Sequence, residues 1–155
     1  MVQLIPMSEA EFEAFMKISM ADHIQAQIIS GKWRFDDADE NMEKLRSQIL
    51  PQGFVTPNHH FLNIQDDKNG QVGGLWYMVA EGNGKRLIFV VDIQVHVQFR
   101  RRGYGSQAFL LLEDLAHNMG INKIVLNVFE HNHQARAMYE KLGYSGKGET
   151  MTKEI

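Results

Sequence analysis

The stretch QFRRRGYGSQAF, residues 98–109, sets Arg100, Arg101 and Arg102 immediately before Gly103 and Gly105. An apolar run of helical period follows, with Ala108, Leu111, Leu112, Leu115 and Met119 on one face and Gly120 as its stop. The mouth of a helix leaves several backbone N–H groups without intrahelical acceptors and carries partial positive charge. Glycine admits left-handed torsions and lets a ligand approach the main chain closely. Arginines, glycines and a helix start in this order predict an anion site suited to phosphate. On composition alone the same residues also read as a solvated basic turn.

Phosphate chemistry narrows quickly. A Walker-type loop needs a lysine after its last glycine, and Gly105 is followed by Ser106 and Gln107. GYGSQA fits the dinucleotide pattern G-x-G-x-x-A, and Glu130 stands roughly where a ribose-binding acid would. However, QFRRR separates the preceding strand from the first glycine, and too little chain follows Glu130 to build a doubly wound sheet. Other side chains with chemical potential are the phenol of Tyr139, the carboxylates of Asp92 and Glu130, and the imidazoles of His96 and His131. His131 and His133 are two residues apart without a carboxylate at helical spacing, so no metal site is expected. The chain has no cysteine, which removes thiolate metal ligation, disulfides and an acyl-cysteine intermediate.

These groups must be held by surrounding elements. Ser8 and Glu11 form an S-x-x-E capping box, and Phe12, Phe15, Met16, His23, Ile24 and Ile28 recur at near-helical spacing up to Gly31. A second helix is predicted over residues 37–50, with Asp37, Asp39 and Glu40 in its first turn and Met42, Leu45 and Ile49 as its apolar stripe. The period then changes. HFLNIQ, QVGGLWYMVA and KRLIFVVDIQV are strand-like and are separated by DDKNG and EGNG, whose Asn-Gly pairs suit tight hairpins. KIVLNVF reads as a buried strand, Ala135, Met138 and Leu142 as a last helix face ending at Gly143, and MTKEI as an edge strand. The predicted order is β-α-α-β-β-β-α-β-α-β in one α+β domain over residues 1–155: a mixed sheet, with an antiparallel meander and a parallel strand pair around a central helix. His59 and His60, after Pro57, are expected at the surface, and Trp33, Trp76 and the methionines in the core.

IQVHVQFRRRGYGSQAF resembles the R/Q-x-x-G-x-G/A signature of the GNAT N-acetyltransferase superfamily, with Arg100, Gly103 and Gly105 on the pattern. VLNVFEHNHQARAMYEKLGY is similar to a second block of that family, with Asn132, Ala135, Tyr139, Gly143 and Tyr144 at the expected offsets. The two blocks together cover about residues 87–145. The resemblance implies a GNAT-like sheet with helices on both faces and acetyl-coenzyme A as cosubstrate. It implies diphosphate contacts at Arg101, Arg102, Gly103, Tyr104, Gly105 and Ser106, with Arg100 opening the motif. It also implies backbone pairing of Ile93 and Val95 with the pantetheine arm, an oxyanion-stabilising N–H near Gln94, and polar or packing contacts from Asn132 and Ala135. Tyr139 is implied as the general acid toward the leaving thiol. A glutamate that serves as base in the ribosomal-protein-acetylating branch corresponds to Asn127 here, so that role does not carry over, and Asp92 and Glu130 remain the base candidates.

The activity so implied is acetyl transfer to a primary amine by direct attack in a ternary complex. The alternative is a non-catalytic module that binds coenzyme A or its acyl forms as a sensor. The first two helices and LPQGFVTPNHH are expected to wall the acceptor site, and the acceptor is an amine-bearing small molecule, peptide or protein. A net charge of −3 gives no global basic footprint for nucleic acid, and no apolar run approaches a membrane span. Residues 1–15 lack the basic start of a signal peptide, so a cytoplasmic location is expected, with homodimerisation through a terminal edge strand as an option.

Overall fold

Local signals account for most element boundaries. The computed structural model describes residues 1–155, which fall into two compact units, residues 7–57 and residues 1–6 with 58–155. In the first unit, α1 (Glu9–Ile29) starts at the predicted capping box. Glu11 N–H donates to Ser8 Oγ at 3.2 Å, and Ser8 N–H to Glu11 Oε1 at 2.8 Å. It stops before Gly31, whose φ of +78° ends the right-handed path. A short 3₁₀ turn, Phe35–Asp37, leads into α2 (Ala38–Ile49). Phe12, Phe15, Met16, Met42 and Leu50 are buried, and Phe12 packs on Phe54 at 5.1 Å between ring centroids.

The second unit is a six-stranded sheet in the order β1-β2-β3-β4-β5-β6, where β1 is Val2–Pro6, β2 His59–Asp66, β3 Gly70–Gly82, β4 Lys85–Val95, β5 Lys123–Asn127 and β6 Thr150–Glu154. All neighbours are antiparallel except β4 and β5. The parallel pair follows from the crossover through α3 (Tyr104–Asn118), since parallel neighbours need a long connection. The β3–β4 hairpin closes on Asn83 and Gly84, both at positive φ, the geometry that an Asn-Gly pair favours. The order and the parallel pair match the expected α+β architecture.

One face of this sheet carries Leu62, Leu75, Tyr77, Ile88, Val90, Ile124, Leu126 and Met151 into a core with Phe109, Leu112 and Ala116 of α3 and Tyr139 of α4 (His133–Lys141). The buried stripe of α3 is Tyr104, Ala108, Phe109, Leu112, Glu113 and Ala116. It lies slightly around the helix from the predicted stripe, with Leu111 and Leu115 at its margins. Tyr104 and Ala108 form a second cluster with Val2, Ile64 and Val72.

Candidate functional site

The site begins where two strands part. β4 pairs with β5 only over Ile88–Val90, while β4 itself continues to Val95. Beyond Val90 it keeps β3 on one side and has no strand on the other. A bulge lies at the parting point: Tyr77 faces Val90 and Trp76 faces Asp92, which leaves Val91 as the inserted residue. Side chains alternate along a strand, so the insertion turns Asp92 to the face opposite Val90 and the α3 core. Ile93 then returns to the core side, where it packs on the main cluster. Gln94 shares the face of Asp92, and its Nε2 donates to Asp92 Oδ2 at 3.2 Å.

Backbone polarity follows the same alternation. His96 N–H donates to Val72 O at 2.8 Å, toward β3. The carbonyl of Gln94 also faces β3: a Cβ on Gly73 would stand 2.0 Å from that oxygen. The amides and carbonyls of Ile93 and Val95 therefore turn toward the side without a strand. Near Gln94, the N–H groups on that side are thus those of its neighbours. Arg100 Nε donates to Val95 O at 2.9 Å, which ties the arginine-glycine turn back to the strand end.

A 3₁₀ turn, Val97–Phe99, joins β4 to that turn. Arg101 sits at φ +64° and Gly103 at φ +82°. Positive φ is natural for glycine but costs an arginine on the order of 1 kcal/mol, the kind of strain that persists where surrounding contacts hold it. Gly103 is the N-cap of α3 and offers no side-chain acceptor, and the first helical bond runs from Gln107 N–H to Gly103 O at 3.0 Å. The N–H groups of Tyr104, Gly105 and Ser106 precede that bond and have no intrahelical acceptor. α1 and α4 differ, because side chains cap them: Ser8 caps α1, and Asn132 Oδ1 accepts from Ala135 N–H at 3.2 Å in α4. Of the three arginines, Arg100 is engaged at Val95, Arg102 lies over the Phe99 ring at 5.6 Å, and Arg101 is exposed. Cationic side chains therefore rim the turn, while its centre is main chain.

Tyr139 lies in the core cluster at 8% exposure, edge-on to Phe109 at 5.3 Å and to Tyr144 at 6.3 Å. Its phenol is pushed up to about 12, first by burial and then by the negative charge of Asp92. Tyr144 is raised further by burial, Glu113 and Tyr139, and its buried hydroxyl finds no acceptor. Glu113 is instead paired with Lys153, whose Nζ donates to both carboxylate oxygens at 2.9 and 3.2 Å.

The remaining candidates separate by placement. Asp92 lies on β4 just past its pairing with β5, and its negative charge acts on the Tyr139 phenol. Glu130 is exposed in the turn after β5, and its backbone N–H donates to Glu149 Oε2 at 3.0 Å. Asn127 accepts from the Thr150 hydroxyl at 2.9 Å across β5 and β6. His131 lies by Phe129, and no group of three or more His, Asp or Glu side chains is arranged to hold a metal. His60 is exposed, but His59 departs from the expected surface position. It is half-buried, and its Nδ1 accepts from Trp76 Nε1 at 2.9 Å. Burial and the neighbouring His60 hold it below the usual imidazole range. Only the Trp76 strand register, unreadable before pairing is known, could have signalled this contact. The side chain of Tyr104, treated above as part of a backbone cradle, is likewise buried in a polar contact of its own.

Comparison with known proteins places this arrangement. The sequence profile described as Acetyltransferase (GNAT) family matches residues 15–144. The chain is 29% identical over 154 residues to the uncharacterized N-acetyltransferase YycN of Bacillus subtilis, covering 99% of each. It is 31% identical over 149 residues to the uncharacterized N-acetyltransferase YdgE of the same organism, covering 96% of this chain and 95% of that one. The crystal structure of YycN superposes with a TM-score of 0.90 over 100% of this chain and 99% of that chain. The PaiA N-acetyltransferase of Thermoplasma acidophilum, solved in complex with coenzyme A, shares the fold at a TM-score of 0.68 and 14% identity, covering 100% of this chain and 99% of that one.

Proposed function

The chain belongs to the acetyltransferase (GNAT) family and is an acetyl-coenzyme A-dependent N-acetyltransferase, and from that premise we propose how its residues divide the work. The N–H groups of Tyr104, Gly105 and Ser106 receive the diphosphate, with Arg101 and Arg102 as cationic rim. Fixed main-chain donors suit this task because they are ordered before the ligand arrives. Ile93 and Val95 offer their free backbone edge to the amides of the pantetheine arm, as a strand edge receives a peptide. An N–H on the same edge stabilises negative charge developing on the thioester oxygen. Asn132 and Ala135 flank the path at the start of α4.

A lysine-like amine has a pKa of about 10.4, so only roughly one molecule in two thousand is neutral at pH 7. Asp92 accepts the proton that the nitrogen sheds as the C–N bond forms. Tyr139 donates a hydrogen bond to the departing sulfur as the C–S bond breaks. Complete proton transfer from a phenol near 12 to a thiolate of pKa about 8.5 would be uphill by roughly 5 kcal/mol. Burial is the main cause of the raised phenol; protonation of Asp92 removes the lesser one and so narrows that gap. The ammonium gives its first proton to solvent before attack and its second to Asp92 as the C–N bond forms; the departing thiolate, hydrogen-bonded to Tyr139, takes one proton from solvent, and Asp92 returns its proton to solvent.

The observation that carries this reading is that β4 runs on past its pairing with β5 and leads into a helix start whose first N–H groups have no intrahelical acceptor. The acceptor is a primary amine, with peptide N-termini, lysine side chains, polyamines and amino sugars as the classes to compare. Thiol release from acetyl-coenzyme A in a disulfide-dye assay is a clean readout, since the protein contributes no cysteine. Faster release with at least one class, and none with its tertiary-amine analogue, is expected. Acetyl-coenzyme A binding without accelerated release on any amine would overturn the transfer reading.

A further inference from the structure

Tyr104 is the first residue of α3, and its main chain and side chain point to different tasks. Its N–H is one of the three unpaired donors at the helix mouth. Its side chain is 8% exposed and runs inward to the β2–β3 turn. There the hydroxyl donates to Asp66 Oδ2 at 2.8 Å and accepts from Asn69 Nδ2 at 2.9 Å. Asn69 Nδ2 also reaches Asp66 Oδ2 at 3.2 Å, so the three side chains close a ring of hydrogen bonds. Asp66 itself is 9% exposed. The Tyr104 hydrogen bond is the foremost cause holding its carboxyl below the usual range, against an opposing effect of burial.

The turn that this ring adjoins needs anchoring. Arg101 holds a left-handed backbone that its side chain disfavours, and no cap at Gly103 braces the helix start. The upstream end is tied by Arg100 to Val95 O. On the downstream side, Tyr104 is tied across 38 residues of sequence to Asp66 and 35 to Asn69. Phe99 stands edge-on to Tyr104 at 6.3 Å and carries Arg102 on its face, which links the two ends through one stack.

We infer that Asp66 and Asn69 are positioning residues for donor binding: acting through the Tyr104 hydroxyl, they hold the amides of the Arg101–Ser106 turn in the geometry that receives a diphosphate. This rests on the placement of the diphosphate proposed above. Asp66 and Asn69 lie outside both motifs of the resemblance, and only Tyr104 belongs to one of them. The ring's effect is to order the cradle before the ligand arrives, so that binding energy is not consumed in ordering it.

Two probes separate this role from general support of the fold: acetyl-coenzyme A, which carries the diphosphate, and S-acetylpantetheine, which lacks it. Asn69→Ala and Tyr104→Phe are compared with the parent chain by titration calorimetry or NMR. Asn69 is exposed, so its variant keeps the test available should Tyr104→Phe fail to fold. Affinity for acetyl-coenzyme A is expected to fall about tenfold, the scale of one strained residue released, while S-acetylpantetheine changes by less than about twofold. Unchanged acetyl-coenzyme A affinity in a folded variant, or an equal loss for both probes, would overturn the positioning role. A parent chain that binds the two probes equally well would instead overturn the diphosphate placement.

Discussion

The carboxylate of Asp92, on β4, lies close enough to the phenol of Tyr139, on α4, to raise it beyond what burial alone does. The bulge at Val91 turns Asp92 away from the face that Ile88 and Val90 share, so its charge acts on Tyr139 from the other face of the strand. A base candidate on one face and an acid candidate on the other are thereby coupled through charge.

Tyr139→Phe removes the proposed donor to sulfur and keeps the ring that packs on Phe109 and Tyr144. Turnover at saturating acetyl-coenzyme A should fall by about a hundredfold or more, the usual size of a lost acid. The dissociation constant for acetyl-coenzyme A should stay within about twofold. Steady-state kinetics beside calorimetry reads both, and equal losses would remove Tyr139 from the chemistry.

Asp92→Asn should act on the phenol as well as on the rate. A negative neighbour disfavours phenolate, so neutralising it makes ionisation easier, and Tyr139 should titrate below its parent value of about 12. Burial is the larger cause and persists, so the phenol stays above the ordinary tyrosine range. Ultraviolet titration of Asp92→Asn against the double variant with Tyr139→Phe isolates this group. An unmoved titration would separate the two residues.

The two motif glycines should fail in different ways. Gly103 needs its left-handed torsion, so Gly103→Ala should cost on the order of 1 kcal/mol of stability as well as affinity. Gly105 does not share that requirement: its Cβ would meet only Met138, with Sδ at 3.4 Å, an ordinary contact. Gly105→Ala should melt within a few degrees of the parent and still bind acetyl-coenzyme A at least about tenfold more weakly, because a side chain there narrows the approach to the proposed diphosphate site. Normal binding by Gly105→Ala would mean that the ligand does not reach this amide.

Asp66 gives a stability signature in acid. Its carboxyl is depressed in the folded chain from 3.8, so its contribution is present above that value and is lost as pH falls through the lower folded one. The hydroxyl of Tyr104 is the first cause of the depression. Tyr104→Phe should therefore show a smaller drop in melting temperature between pH 5 and pH 2.5 than the parent. An identical drop would exclude the hydroxyl as the source.

Much of this was legible in the sequence, for physical reasons that differ along the chain. Ser8 with Glu11, Asn83 with Gly84, and the switch between two- and four-residue periods are local signals, and each produced the expected element. The glycine-arginine turn was legible because Gly103 is needed for its torsion whatever the rest of the chain does. The bulge at Val91 was not, since it depends on how two long strands register. The engagement of Arg100 with Val95, the carbonyl of Gln94 against Gly73, and His59 with Trp76 are likewise products of pairing. Tyr104 read as a member of a backbone cradle, and nothing near it in sequence disclosed partners as distant as Asp66 and Asn69.

Backbone amide NMR of the nitrogen-labelled chain, titrated with acetyl-coenzyme A, tests the placement of the donor most directly. The account predicts that the largest shifts fall on Arg102, Gly103, Tyr104, Gly105 and Ser106, with a second group at Ile93 and Val95. Saturating binding that leaves those amides unmoved and shifts residues elsewhere in the sheet would contradict it.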